Sequence, residues 1–353
     1  MVGVDYRPSG SKRSAKPVTV TVAGGGDSEP NQLPLARPHK RWGFATLRAM
    51  PELPDLLVYQ ERLQALTEGA SLRRLRLASP FVLRTVDPPP SELEGRWVEG
   101  VRRLGKRLVF ALEGERYAVV HLMIAGRLHW KGADAAIPKG RGLAAFDFSS
   151  GTLVFTEAGK KKRASIHLVR GEAGLAELDR GGLEVLDSDL PEFRAALLRA
   201  PHTLKRALTD PAILSGIGNA YSDEILHRAR LSPFKRTDAL NDLEMARLQA
   251  ATVQVLTEWI QRLRAETGDG FPEKVTAFRP EMAVHGRYGQ PCPVCGAPVQ
   301  RIVYAENEAN YCPGCQTEGR ILADRALSRL LKSNWPRTLE ELEQRRPAKP
   351  ARS

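Results

Sequence analysis

The amino-acid sequence predicts an α+β protein of several domains: a β-sandwich preceded by a short helix, then a helical domain, then a small Cys-rich hairpin. Three observations predict this order. Short strand-like runs separated by turn signals fill residues 74–159. Helical spacing of apolar residues begins near Leu190, and all 4 Cys lie between residues 292 and 315. A chain of 353 residues is long enough for two or three domains with cores of their own.

The first 49 residues differ in character from all that follow. They are rich in Gly, Pro, Ser and basic residues, as in "SGSKRSAKP" and "AGGGDSEPN", and they show no persistent apolar period. Such a composition is typical of disorder. We interpret residues 1–49 as a disordered extension, or as an upstream stretch that is not part of the working protein. The segment "MPELPD" that follows them has the character of a protein start.

Residues 50–187 form the predicted β-sandwich domain. Apolar residues at positions 56, 57, 63 and 66 have helical spacing, so we expect a helix shortly after Pro51. The runs "RWVEGVRRLGKRLVFALEG", "YAVVHLMIAGRLHW" and "LAAFDFSSGTLVFTEAG" contain short strands, and "SSG" predicts a tight hairpin. Several short strands of this kind are typical of an all-β sandwich or barrel.

Residues 190–283 form the predicted helical domain, which the segment "LSGIGNAYSDEIL" interrupts. Gly216 and Gly218 allow a tight turn and a close approach of the backbone, and Asn219 can cap the next helix. Exposed N–H groups at the start of that helix can bind a phosphate. The alternative is an ordinary connection between helices that uses glycine for its geometry.

Residues 284–320 contain the predicted zinc finger. Cys292 and Cys295 form one CxxC pair, and Cys312 and Cys315 form a second pair after 16 intervening residues. Two such pairs match a ribbon that binds one structural Zn²⁺, because four thiolates close a tetrahedral coordination shell. The alternative is four free thiols in a reducing compartment. Residues 321–353 are predicted to hold a short amphipathic helix at 321–334 and a loose charged tail.

Composition limits the class of protein and of partner. No apolar run approaches the roughly 18 residues that cross a bilayer, and the N-terminus has no signal-peptide core, so we expect a cytoplasmic protein with no membrane partner. The net charge is +12, and residues 1–49 account for only 5 of it, with 8 basic and 3 acidic residues. The basic excess of the remaining chain favours a polyanion, and nucleic acid is the first candidate.

Pro51 and Glu52 carry potential chemistry if Pro51 is the N-terminus. A free α-amine titrates near 8, well below the roughly 10.4 of lysine, so a larger fraction is neutral and nucleophilic. A secondary amine that attacks a sugar C1′ can expel a base and leave an iminium, and a neighbouring carboxyl can move protons. The alternative is that "PELPD" merely begins a helix.

Two lysines are further candidates for binding a polyanion. Lys106 in "GKRLVF" and Lys205 in "TLKRALTD" are either phosphate ligands or solvated charges.

Together these pieces resemble the formamidopyrimidine-DNA glycosylase / endonuclease VIII family. The matching segments, in the family's order, are "MPELPD" at 50–55, "LGKRLVF" at 104–110, "HLMIAGRL" at 121–128, "LSGIGNAYSDEIL" at 214–226, "VHGRYGQPCPVCG" at 284–296 and "YCPGCQ" at 311–316. The resemblance implies a β-sandwich with a catalytic helix, a helix–two-turn–helix domain and a zinc-finger hairpin. It also implies a bacterial-type, nucleoid-associated monomer that acts on double-stranded DNA containing damaged or abasic sites.

The resemblance implies roles for individual residues. Pro51 would be the nucleophile and Glu52 the proton donor of a DNA glycosylase that removes a damaged base and then cuts the strand by β- and δ-elimination. The remaining catalytic and DNA-binding residues would be Lys106, Lys205, Gly216, Gly218, Asn219, Tyr221 and Asn307.

Three positions depart from the family's pattern. Asp55 stands where Glu is usual, and Ile124 stands where members that excise 8-oxoguanine have Met, so both are candidate lesion-site residues. Asn307 stands where the finger of the family presents an Arg to DNA. The alternative function is therefore a non-catalytic zinc-finger protein that binds abasic or damaged DNA. A ribosome-associated RNA-binding protein is a third hypothesis, since a similar helical motif occurs in a small-subunit ribosomal protein.

The position of Met50 leads to an expectation about the start of the chain. An amine that is locked in a peptide bond to Met50 cannot act as a nucleophile. Proline is small enough for an initiator methionine to be removed ahead of it. We therefore predict that translation starts at Met50, with proteolysis between Met50 and Pro51 as the alternative.

Overall fold

The computed structural model describes residues 50–159, 161–273, 275–276, 278–304, 307–323 and 337–344. The predicted extension at 1–49 lies outside these residues, as do most of the helix expected at 321–334 and the tail after residue 344. Among the described residues, no helix combines the length and apolar character needed to cross a membrane.

One helix and eight strands build the first part of the fold. Helix α1 spans Leu53–Thr67. The strands are β1 (Leu72–Leu77), β2 (Val98–Leu104), β3 (Arg107–Leu112), β4 (Arg116–His121), β5 (Gly126–Lys131), β6 (Gly142–Phe148), β7 (Gly151–Glu157) and β8 (Ser165–Arg170). They form two four-stranded antiparallel sheets, in the orders β1-β6-β7-β5 and β2-β3-β4-β8.

Aromatic side chains join the two sheets into a sandwich. Phe110 of β3 contacts Phe146 and Phe148 of β6, with ring centroids 5.7 and 5.6 Å apart. All three rings are fully buried, and burial of such rings is the main favourable contribution to a core of this kind. The expected hairpin is also present, since Phe148 pairs with Gly151 across the turn between β6 and β7.

Five helices form the next part of the chain, of which α6 is the longest. They are α2 (Gly171–Ala176), α3 (Leu190–Leu198), α4 (Leu204–Thr209), α5 (Asn219–Arg228) and α6 (Asp242–Thr267). The side chain of Asn241 accepts the N–H of Glu244, and that of Glu244 accepts the N–H of Asn241, so a capping box begins α6. Leu53 of α1 belongs to the core of these helices, which ties the start of α1 to them.

The Cys-rich part is built on a short hairpin. Strands β9 (Gln300–Tyr304) and β10 (Asn307–Tyr311) pair antiparallel, and the one-turn helix α7 (Pro313–Gln316) follows. Strand β10 packs against α5, and α8 spans Leu339–Gln344. The predicted fold class is therefore confirmed: a sandwich preceded by a helix, a helical domain and a finger hairpin.

Candidate active site and zinc site

The carboxylate of Glu52 lies at the N-terminus of α5. It accepts hydrogen bonds from the backbone N–H groups of Gly218, Ala220 and Tyr221, at 2.7, 2.8 and 3.2 Å. The side chain is 2% exposed. Helix N-termini favour negative charge, because their first N–H groups have no partner within the helix. Glu52, the residue immediately before α1, therefore accepts N–H groups at the start of α5, which begins at a turn 166 positions further along the chain.

This contact explains the two glycines of the "SGIGNA" turn. A Cβ atom on Gly218 would lie 2.5 Å from Cδ of Glu52, and one on Gly216 would lie 2.8 Å from Cβ of Leu53. Gly216 also has a φ of +79°, which disfavours a side chain. The prediction that glycine permits close backbone approach is consistent with this geometry, and the approaching group is the start of α1.

Two features of the turn differ from the prediction. Asn219 was expected to cap α5, but it is the first residue of the helix, and the N-cap position belongs to Gly218. The N–H groups expected to bind a phosphate donate instead to Glu52. Sequence reasoning assigned these donors to a ligand because no local pattern links Glu52 to a turn so distant in the chain.

Pro51 and Lys106 lie beside this carboxylate. Pro51 is buried and immediately precedes Glu52. Lys106 is half-buried in the turn between β2 and β3. Burial holds the pKa of its ammonium below the ordinary value, although the attraction of Glu52 opposes this effect. Pro51 and Glu52 therefore lie at the start of α5, and Lys106 is close enough to Glu52 for the carboxylate to influence its pKa.

Asp55 has a different environment from Glu52, although the two are three residues apart. One oxygen accepts the N–H of Glu52 at 3.1 Å, and the other lies 3.4 Å from Nη2 of Arg279. Burial raises the pKa of Asp55 to about 6, against the opposing effects of the Glu52 N–H and Arg279. Arg279 also binds the carboxylate of Glu266 at 2.9 Å, so it joins the start of α1 to the end of α6.

A cavity of about 280 Å³ opens beside Asp55. Its walls include Val58 of α1, Phe271, Val275 and Arg279. The cavity combines apolar walls with the Arg279 guanidinium and three carboxyl groups, those of Asp55, Glu266 and Glu273. A few polar groups among apolar walls are typical of a site for a small ligand. The other candidate lesion-site residue, Ile124, lies half-buried in the turn between β4 and β5, and it is not among the residues that line this cavity.

Lys205 is buried inside the helical part. Its Nζ donates to the carbonyl of Asn219 at 2.7 Å, to Oγ of Ser222 at 2.8 Å and to Oδ1 of Asp223 at 2.5 Å. An ammonium group has three donors, so all of them are used within the protein. The prediction that Lys205 holds a phosphate stays a prediction, and such contact requires the ammonium to exchange one of these acceptors.

Asp223 connects Lys205 to the Cys-rich part. Its second oxygen lies 2.8 Å from Nδ1 of His285 and accepts a hydrogen bond from Asn310 of β10 at 3.1 Å. Burial by itself would raise the pKa of Asp223, but Lys205 and His285 hold that pKa below its ordinary value. The next residue, Glu224, accepts the backbone N–H groups of residues 283–285. Two adjacent acids of α5 thus hold the segment that leads into the finger.

Two of the expected DNA-binding residues remain. Tyr221 is 1% exposed, and its ring packs edge-on against Trp259 at 5.9 Å. The ring of Tyr221 thus lies in the core of the helices, between α5 and α6, and its expected contact with DNA stays a prediction. Asn307 begins β10 and pairs with Tyr304 across the hairpin.

The four Cys come together as the spacing predicts. Sγ of Cys292 lies 3.9 Å from that of Cys315, and Sγ of Cys295 lies 3.3 Å from that of Cys312. Four thiolates bound at about 2.3 Å to one tetrahedral ion are about 3.8 Å apart. Backbone N–H groups also point at two of the sulfurs, at 3.4 Å each. The donor set and its spacing fit one structural Zn²⁺.

Sequence reasoning missed Asp223, Glu224, His285, Arg279 and His227. The first four hold segments together through the contacts described above, and His227 of α5 places Nε2 3.3 Å from Sγ of Cys292. No local signal identified this set, because the burial of residues 220–227 of α5, which include Asp223, Glu224 and His227, is visible only in the structure. Buried ionisable groups nearly always have partners.

The chain matches three family descriptions, in the order of its parts. Residues 50–163 match "Formamidopyrimidine-DNA glycosylase N-terminal domain", and residues 183–268 match "Formamidopyrimidine-DNA glycosylase H2TH domain". Residues 289–317 match "Zinc finger found in FPG and IleRS". The last match contains all four Cys, and together with their clustering it confirms the prediction of one structural Zn²⁺.

Individual proteins are similar over the same part of the chain. A formamidopyrimidine-DNA glycosylase of Thermus thermophilus is 36% identical over 281 residues, which cover 76% of this chain and 100% of that protein. A Lactococcus lactis FPG (MutM) bound to DNA containing Fapy-dG superimposes with a TM-score of 0.67 at 26% identity and covers 75% of this chain and 100% of its own. A complex of the Lactococcus lactis protein with DNA containing an abasic site gives 0.67 at 25% identity, over 75% and 99%.

Proposed function

The chain belongs to the formamidopyrimidine-DNA glycosylase family, and on that premise we propose that it is a base-excision-repair enzyme. It removes a damaged base from double-stranded DNA and then cuts the strand at the resulting abasic site. The observation that carries the proposal is the position of Pro51 and Glu52. They stand at the start of α1, where three backbone N–H groups of α5 hold the Glu52 carboxylate.

The proposed reaction uses the N-terminal amine of Pro51. The nitrogen lone pair attacks C1′ of the deoxyribose, and the bond from C1′ to the base breaks, with its electron pair leaving on the base, which takes up a proton. The nitrogen then loses its proton, and its lone pair forms the C1′=N bond of an iminium as the C1′–O4′ bond breaks. The electron pair of that bond leaves on O4′, which takes up a proton. Glu52 moves protons at the ring oxygen and during β- and δ-elimination of the two phosphates.

The working enzyme must therefore begin at Pro51. While Pro51 is linked to Met50, its nitrogen belongs to an amide, and its lone pair is delocalised into the carbonyl. The family match begins at residue 50, and the Thermus protein is covered from end to end by 76% of this chain. Both findings support a translation start at Met50, and removal of that methionine would then free the Pro51 amine.

DNA would lie against the surface between the sandwich and the helices. Lys106 supports this placement, because it lies half-buried in the turn between β2 and β3 and feels the charge of Glu52. Asn219, half-buried at the start of α5, and Asn307, on the finger hairpin, would contact the phosphate backbone. The cavity beside Asp55 would receive the extruded base, whose flipping out of the duplex costs a few kcal/mol.

The experiment is borohydride trapping on a duplex with one abasic site, using protein that begins at Pro51. A covalent protein–DNA adduct is expected, because reduction of the iminium makes the bond permanent. The adduct should be strongly diminished in Pro51→Gly combined with Glu52→Gln. If no adduct forms, or if that variant forms it undiminished, the proposal is wrong.

A second candidate function is a non-catalytic binder of damaged or abasic DNA. Asn307 favours it, since an amide stands at the finger position where the family presents Arg. This function predicts salt-sensitive binding to abasic DNA with neither adduct nor cleavage. The trapping assay separates the two, provided that binding is measured on the same DNA.

A further inference from the structure

We propose that His227 stabilises the zinc site by donating a hydrogen bond from its Nε2–H to the Cys292 thiolate. This hydrogen bond also links the finger to α5. This role does not depend on the proposed enzymatic activity. It assigns a function to a residue that lies 65 positions away from the first Cys and outside both CxxC motifs.

The first support is geometric. Nε2 of His227 lies 3.3 Å from Sγ of Cys292, and both residues are buried, at 6% and 3% exposure. The side-chain donor atoms of His227, Cys292, Cys312 and Cys315 all lie within 4.8 Å of one another. The imidazole therefore belongs spatially to the cluster of sulfurs.

The second support is chemical. Four thiolates around one Zn²⁺ carry more negative charge than the ion neutralises, so an N–H donor aimed at a sulfur stabilises the site. Four Cys already complete a tetrahedral shell. With no coordination position left for nitrogen, the imidazole can contribute to such a site through its N–H group.

The third support is the place of His227 on α5. Glu52 binds the first N–H groups of this helix, and His227 lies seven residues beyond Ala220, roughly 10 Å along the axis at 1.5 Å per residue. Gln316 adds a neighbouring link, since its amide donates to the carbonyl of Leu231 at 2.9 Å. Helix α5 thus connects the candidate catalytic carboxylate to the zinc finger through direct contacts at both ends.

The test compares His227→Phe with His227→Gln in the full chain. Phe fills a similar volume without a donor, whereas Gln restores an N–H donor. The matched control is His202→Phe, which alters a half-buried histidine outside the cysteine cluster. Two quantities are measured: the rate of zinc transfer to excess chelator, and the energy of the sulfur-to-metal charge-transfer band after Co²⁺ replaces zinc.

We expect His227→Phe to release zinc on the order of 10–100-fold faster than the unaltered chain, with the cobalt band shifted to lower energy because the sulfur regains electron density. His227→Gln should fall between the two, and His202→Phe should match the unaltered chain. Equal release rates and band energies in all four proteins would overturn the proposal. So would a cobalt spectrum of the unaltered chain with three thiolates and one imidazole, because His227 would then be a ligand rather than a donor to one.

Discussion

At the scale of single residues, the first turn of α1 holds two carboxyl groups with different surroundings. Glu52 accepts three backbone N–H groups from α5. Asp55 is buried between the N–H of Glu52 and Arg279, and burial raises its pKa to about 6. Asp55 thus contacts Arg279 at the position where the family resemblance leads us to expect Glu.

The raised pKa predicts how Asp55 affects stability. The folded chain binds the Asp55 proton more tightly than the unfolded chain, in which the pKa of the carboxyl keeps its ordinary value of 3.8. The loss of stability caused by burying the ionised Asp55 carboxylate is therefore fully present above about pH 6, and it disappears as the pH falls toward 4. We expect Asp55→Asn to increase the free energy of unfolding at pH 8 by on the order of 1–3 kcal/mol, with the difference shrinking between pH 6 and 4.

The measurement is urea unfolding of Asp55→Asn and of the unaltered chain at several pH values. Asp187→Asn is the matched control, because it makes the same replacement of a carboxyl by an amide at an exposed position. A stability difference that stays constant from pH 8 to pH 4 would contradict the assignment of the raised pKa to Asp55.

At the scale of the element, α5 organises the site although it has only ten residues. Its N-terminus binds Glu52, its middle binds Lys205 and the segment at 283–285, and its last turn contacts Cys292. These contacts are polar and buried. Removal of one partner leaves the other buried without a partner, and this costs more free energy of unfolding than the intact pair contributes.

Replacement of Lys205 by Met tests the role of this network. The substitution leaves the buried carboxylate of Asp223 without its ammonium partner, so we expect a loss of about 3–5 kcal/mol in the free energy of unfolding. The double variant Lys205→Met with Asp223→Asn should lose less, since no unpaired charge remains. Thermal or denaturant unfolding measures both, and Arg206→Met, at the exposed neighbouring position, should be nearly neutral.

The same variants address the phosphate contact expected of Lys205. If Lys205 also holds a phosphate, Lys205→Met reduces the slope of log binding constant against log salt by about one. A Lys205→Met protein with unchanged stability would show that the buried network described here is not formed in solution.

At the scale of the whole molecule, the chain as written and the proposed enzyme differ at the N-terminus. The basic excess persists beyond residue 49, so the segment at 1–49 is not needed to explain affinity for DNA. The proposed chemistry requires a free amine at Pro51, and it is incompatible with a chain that continues to residue 1.

We therefore predict that intact-mass measurement of the protein made from its natural gene will show a first residue of Pro51. Protein that retains residues 1–50 should bind abasic DNA without forming a borohydride adduct, because the Pro51 nitrogen is then an amide. A protein that retains residue 1 and still forms the adduct would refute both the start at Met50 and the alternative of proteolysis.

Local patterns in the sequence were sufficient to predict several features of the fold and of the zinc site. Strand-like runs predicted the sandwich, helical spacing predicted the helices, and two CxxC pairs predicted the zinc site, because each of these depends on residues close together in the chain. The hairpin at "SSG" follows from the same kind of signal, and the ordered set of short motifs was enough to identify the family.

Only the tertiary structure decided which polar groups form hydrogen bonds and ion pairs with one another. It assigned the N–H groups of the glycine turn to Glu52 rather than to a phosphate, buried Lys205 against Asp223, placed Tyr221 in the core, and brought His227 to Cys292. Partners such as Glu52 and Gly218 are 166 positions apart, and hydrogen bonds over such separations leave no periodic trace in the sequence. A buried polar group must find a partner, but which partner it finds depends on the packing of whole elements.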